Sequence, residues 1–169
     1  MPSEHLGIVV GVSGSAASRV ALNWAARTAR DRDLPVTAVV AVPAQAAPIT
    51  NRLMVFGVRE LPHRWVERIL ADTVDIVAAS TGRGDPPKLG VQVVAGDPLD
   101  TLAELSDDAE LIVVGARRRS AWRAVRSSLG AKLAFRSHCP VAIVRDDDPG
   151  MPHPAHAPVR VMMTGWSRP

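Results

Sequence analysis

The chain has a single cysteine, Cys139, among its 169 residues. One thiol excludes an internal disulfide. It precedes Pro140 and an apolar stretch, which predicts a buried, unreactive sulfur. Long hydrophobic runs are also missing. The most apolar segments, such as Leu111 to Val114, have the length of a strand and fall far short of the ~20 residues of a membrane helix, so no membrane partner is expected. The start, MPSEHLGIVVGV, has no basic region ahead of an apolar stretch and no cleavage site, so no signal peptide is expected and the cytoplasm is the default location. Strong charge of one sign is absent as well: 20 basic against 17 acidic residues leave +3. That balance is too mild to argue for nucleic acid. No repeat of solenoid period is visible.

What is present is ordinary for a globular domain, with 47% apolar and 22% charged residues. The length suits one domain with a real core, here residues 1–147. A tail, 148–169, carries Pro149, Pro152, Pro154 and Pro158 with His153 and His156, and is expected to be largely disordered.

Ile8 to Val12 is a short apolar run between Gly7 and Gly14, as in a strand buried on both faces. From Ser15 the period changes. Ala17, Val20, Ala21, Trp24, Ala25 and Thr28 form a helical stripe, with Arg19, Asn23, Arg27 and Arg30 opposite. Ser15 suits the N-cap, and Pro35 bars continuation. Val36 to Val42 is a second strand. Pro43 to His63 is a long connection whose LMVF patch (Leu53 to Phe56) is predicted to be a flap or short helix packed on the body. Pro62 to Ser80 is a second helix with Val66, Ile69, Leu70, Thr73, Ile76 and Val77 on one stripe, and LGVQVVAG supplies a third strand. Asp97-Pro98-x-Asp100 is a strong start for a helix over Leu99 to Ser106. A fourth strand (Leu111 to Val114), a helix over about Val125 to Ser137 and a fifth strand (Val141 to Val144) follow. Buried strands alternating with amphipathic helices predict an α/β fold, an open, doubly wound parallel sheet with helices on both faces.

The most informative segment is Glu110 to Arg145, ELIVVGARRRSAWRAVRSSLGAKLAFRSHCPVAIVR. Its strand ends in Gly115, and ligands of such sheets bind where a strand's carboxyl end opens into a loop. Together with IVVGVSGSAASRVALNWA at the first strand and GDPLDTLAELSDDAELIVVG before the fourth, this segment resembles the universal stress protein family. The resemblance runs from about Ile8 to Arg145 and implies a five-stranded sheet of order 3-2-1-4-5, adenine nucleotide alpha hydrolase-like. It also implies a homodimer, paired through Val141, Ala142, Ile143 and Val144. A bare apolar edge strand otherwise invites uncontrolled pairing.

One branch of that family binds ATP through an aspartate at the end of the first strand and a G-x-x-G-x(9)-G-[ST] loop. Here Ser13 stands at the aspartate, Gly115 at the first glycine and Arg118 at the second. Counted back from HCPV, Ser127 stands at the third glycine and Ser128 at the hydroxyl, with the spacer one residue short. Glycines in such a loop permit positive φ and close approach of backbone to phosphate. Arginine at 118 does neither, so the loop reads as degenerate. Two readings follow. Nucleotide binding is lost, leaving a dimeric stress-response module that acts on an unknown protein partner. Alternatively, Arg117, Arg118, Arg119, Arg123 and Arg126 hold an anion with side chains in place of backbone donors. The second reading leaves room for ATP or another adenine nucleotide at low affinity, with Gly11, Val12, Ser13, Val42, Gly115, Arg117, Arg118, Ser127 and Ser128 as the candidate site and slow hydrolysis as its extension. No cofactor is required by either.

Other constellations are weaker. Ser13 to Ser18 (SGSAAS) is similar to the Ser-Gly-Gly-x-Asp-Ser loop of adenylating enzymes, but one glycine and the aspartate are missing, and serines capping the first helix explain it better. His153 and His156 have no partnered acid or cysteine, so no metal site is expected. His63 and His138 suit packing or capping, and no serine has an identifiable base and orienting acid. No enzyme activity is expected. Trp24 belongs to the core stripe. Trp122, within the arginine-rich loop, suits a loop anchor or an exposed stacking surface.

Overall fold

The computed structural model describes residues 6–42, 63–80, 82, 84–116 and 129–145. Among them the order of elements is β1 (Gly7–Gly11), α1 (Ala16–Arg32), β2 (Val36–Val42), α2 (His63–Ala79), β3 (Leu89–Ala95), α3 (Pro98–Leu105), β4 (Ala109–Ala116), α4 (Leu129–Arg136) and β5 (Val141–Arg145). The strands form one five-stranded sheet of order β3-β2-β1-β4-β5, every pair parallel. The doubly wound fold expected from the sequence is the one observed. The connection 43–62, the loop 117–128 and the segment 146–169 lie outside the described residues.

Strand alternation divides the core in two. Ile8, Val10 and Val12 point to a cluster with Ala21, Leu22, Ala25, Val36, Val40, Ile69, Val77 and Val113, which α1 and α2 cover. Val9 and Val39 point the other way, to Leu102, Ile112, Val114, Leu133 and Val141 under α3 and α4. Both faces of the central strands are therefore dry, which is why their sequences are apolar without alternation. The edge strand β3 is only partly buried along its length. Trp24 is half-buried and packs on the α1 side of the core.

Local signals set the helix ends. Ser15 caps α1, its side chain accepting from the Ser18 N–H. Asp33 closes it in the left-handed region (φ 54°), with Arg30 and Arg32 in the last turn, where cations oppose the negative end of the helix dipole. At α3, Asp97 Oδ1 accepts from Leu99 N (2.8 Å) and Asp100 N (3.3 Å), and Pro98 takes the first helical position. Its first-turn acid, Asp100, bonds Arg136 Nη1 at 2.7 Å and ties α3 to α4.

Several boundaries differ from the sequence reading by one or two residues: β1 is Gly7–Gly11, not Ile8 to Val12, α3 is Pro98–Leu105, not Leu99 to Ser106, and β5 extends to Arg145. β4 runs from Ala109 to Ala116, two residues further at each end than its apolar run. Pairing decides this: Ala109 lies opposite Gly7, and Ala116 opposite Arg145. The last helix ends at Arg136. Ser137 leaves it as its hydroxyl donates to the Cys139 carbonyl (2.8 Å), an alternative that short polar side chains offer against helix continuation.

Candidate functional site

The chain winds outward from β1 to β3 in one direction, then crosses to β4 and β5 on the other side. The crevice of such a sheet lies where the winding reverses, between the carboxyl ends of β1 and β4. There Gly11 sits opposite Val114.

On the β1 side, Gly11 is half-buried, and a Cβ on it would meet Leu102 at 3.1 Å. Val12 is buried, its N–H donating to the Val39 carbonyl at 2.8 Å. Ser13 is exposed. Its N–H donates to Ser18 Oγ (3.3 Å) and its hydroxyl to Ser15 Oγ (3.1 Å). Ser18 is buried, its hydroxyl donating to the Ser15 carbonyl at 2.9 Å. The three serines form a closed local network at the start of α1, which bears out the capping role read from the sequence. Between them Gly14 adopts φ +73°, with Ile69 of α2 3.1 Å from the position of a Cβ. Neither Ser18 nor Ile69 was singled out for the site from sequence, because the turn that unites them is not a periodic signal.

On the flanking strand, Val42 is 2% exposed. Its side chain belongs to the core under α1 and α2, and its carbonyl accepts from Gly96 N at 2.8 Å. On the β4 side, Gly115 has a use that its place in a loop motif does not reveal. A Cβ there would overlap the Ala17 carbonyl and fall 2.7 Å from Ser18 N. The first turn of α1 rests directly on the backbone of β4, and only glycine permits it. Arg117, Arg118, Arg119, Trp122, Arg123, Arg126, Ser127 and Ser128 lie outside the described residues.

The last strand differs from a simple apolar patch. Val141, Ala142 and Val144 are buried within their own chain, and half-buried Ile143 packs against Gly130. One edge of β5 pairs with β4, and β5 is the end strand of the sheet among the described residues.

At the opposite end of the sheet, His138 N donates to Ser106 Oγ (2.9 Å), and its Nδ1 lies 2.6 Å from Asp107 Oδ1. Both side chains of that pair are exposed, so it contributes little to stability. Cys139 is partly buried, and desolvation pushes its thiol up from the ordinary value. A protonated thiol is a poor nucleophile; the sequence reading expected a buried sulfur, and Cys139 is only half-buried. Among the described residues no group of three or more His, Cys, Asp or Glu could hold a metal, and no helix is long and apolar enough to cross a membrane.

The fold has counterparts among known proteins. The model of the universal stress protein family matches residues 7–145, and the chain belongs to that family. It is 36% identical over 166 residues to universal stress protein Rv2623 of Mycobacterium tuberculosis (strain ATCC 25618 / H37Rv), covering 98% of this chain and 56% of the relative. To universal stress protein Mb2028c of Mycobacterium bovis it is 34% identical over 171 residues, covering 97% and 56%. The chain thus spans about half the length of the curated relatives it matches. A universal stress protein solved in complex with cAMP superposes with a TM-score of 0.60 at 23% identity, over 83% of this chain and 97% of the other. One from Archaeoglobus fulgidus in complex with dAMP gives 0.58 at 21% identity, over 82% and 96%.

Proposed function

We propose that this universal stress protein is a binding and regulatory module that holds an adenine nucleotide weakly at the β1–β4 crevice and catalyses nothing. The observation that carries the reading is the chemistry at the end of β1. Ser13, where the ATP-binding branch has an aspartate, offers a neutral hydroxyl already engaged with Ser15. The crevice keeps its topology while losing a charged anchor. Hydrogen bonds to charged groups are roughly twice as strong as neutral ones, so the loss weakens a nucleoside's hold without closing the site. The ligands named for the solved relatives, cAMP and dAMP, support the choice of an adenine nucleotide. The serine hydroxyls bond one another and the backbone; among the described residues none of them is bonded to a base that would activate it.

Dimerisation through the outer edge of β5 belongs to the same proposal, as does a cytoplasmic location. The dimer would offer its loops to a protein partner, and nucleotide occupancy would bias that contact.

Calorimetry of the purified chain with AMP and ATP at low salt tests the nucleotide reading. Dissociation constants in the high-micromolar to millimolar range, with affinity falling steeply as salt rises, are expected. No heat and no thermal shift with either nucleotide would overturn it. Sustained release of phosphate from ATP would overturn the non-catalytic part.

A further inference from the structure

We infer that Trp65, in the first turn of α2, is the stacking wall for the base of the bound nucleotide; this rests on the nucleotide reading above. α2 crosses from the carboxyl end of the sheet to its amino end, and two contacts fix its level. Ile69 lies against Gly14, and Asp72 pairs with Arg19 in the first turn of α1. Trp65 precedes Ile69 by one turn on the stripe that Ile69, Thr73 and Val77 continue downward, all three buried. Four residues of helix rise about 6 Å, and side chains lean toward the helix N-terminus. The indole therefore stands above Gly14, beyond the point where α1 begins, at the rim of the crevice.

Its burial breaks from its stripe. Trp65 is 39% exposed, whereas Ile69 and Val77 are 3% and 2% exposed. A large ring that continues a core stripe past the core and keeps 39% of its surface exposed is suited to a planar aromatic ligand. Stacking needs no particular hydrogen-bond pattern, so it compensates for a site that lacks a carboxylate at Ser13. The first turn of α2 carries no acid, and exposed Arg64 stands beside Trp65. Arg64 supplies one cation beside the ring, and exposed Glu67 follows two residues after Trp65.

The test uses the full chain labelled with nitrogen-15 and follows the indole N–H resonances by NMR, with Trp65 assigned from Trp65→Phe. AMP should shift the Trp65 indole resonance, and inorganic tripolyphosphate, which has no base, should leave it in place. Trp65→Leu should weaken AMP about tenfold and Trp65→Phe no more than about threefold, with tripolyphosphate affinity the same in all three proteins. Thermal melts of the variants separate loss of stacking from loss of fold. AMP binding unchanged in a folded Trp65→Leu protein, or an indole resonance unmoved by bound AMP, would overturn the inference while leaving the nucleotide reading intact. Absence of AMP binding to the unaltered chain would overturn both.

Discussion

The backbone of Ala17 and Ser18 lies where a side chain on Gly115 would have to go. This contact joins the first turn of α1 to the end of β4, the two elements that border the crevice. Gly115→Ala must push α1 away or bend β4. Overpacking of this kind costs about 1–3 kcal/mol, and here the obstacle is backbone, so the upper end is expected. Urea unfolding should show the midpoint fall; an unchanged midpoint would mean that α1 does not sit against β4.

Ser13→Asp is expected to strengthen nucleotide binding. Ser13 is exposed, so the carboxylate enters without desolvation, and it can accept from a sugar hydroxyl where the serine hydroxyl is turned to Ser15. An increase in AMP affinity of about tenfold is the expected scale for a charged hydrogen bond. Calorimetry of the variant with AMP showing equal or weaker binding would remove Ser13 from the site.

The outer edge of β5 can be blocked without disturbing its inner ladder. Ile112 N donates to the Pro140 carbonyl at 3.0 Å. Strand alternation then directs the N–H groups of Ala142 and Val144 toward β4 and that of Ile143 outward. Proline is tolerated on an edge strand where its missing N–H faces away from the sheet. Ile143→Pro should therefore give folded monomers in sedimentation; a folded dimer would place the interface elsewhere. A charge at Ala142 would be a poorer probe, since that residue is 0% exposed and the change would report on folding.

Cys139 should resist alkylation near neutral pH. Burial raises its thiol above the ordinary value, so less thiolate is present than in an unfolded chain. The sign for stability follows. The folded state holds the proton more tightly, so this contribution is present below the ordinary thiol range and is lost as pH rises through the raised value. Iodoacetamide should react more slowly with the folded protein at pH 8 than with the urea-unfolded chain. Equal rates would show an ordinary, accessible thiol.

The architecture was legible in the sequence because it depends on local and periodic signals. The apolar runs at Ile8 to Val12 and Val36 to Val42, the caps at Ser15 and Asp97, and the barrier at Pro35 each act within one element or its neighbour. Their order, β and α in alternation, leaves few ways to bury both faces of the strands. The replacement of aspartate by Ser13 was likewise visible as a residue type at a known place.

Contacts across distant elements were decided by the tertiary structure alone. Gly115 reads in the sequence as part of a loop; folding places α1 upon it, a close approach that no spacing encodes. Val42 reads as a strand residue of the candidate nucleotide site, and packing turns its side chain into the core. Trp65 belongs to the helix whose stripe includes Val66 and Ile69, yet its level relative to Gly14 depends on how α2 lies across the sheet. Sequence thus determined which elements form and what chemistry the end of β1 has lost. The tertiary packing determined which backbones touch and which side chains end in the core, because those follow from crossing geometry between segments far apart in the chain.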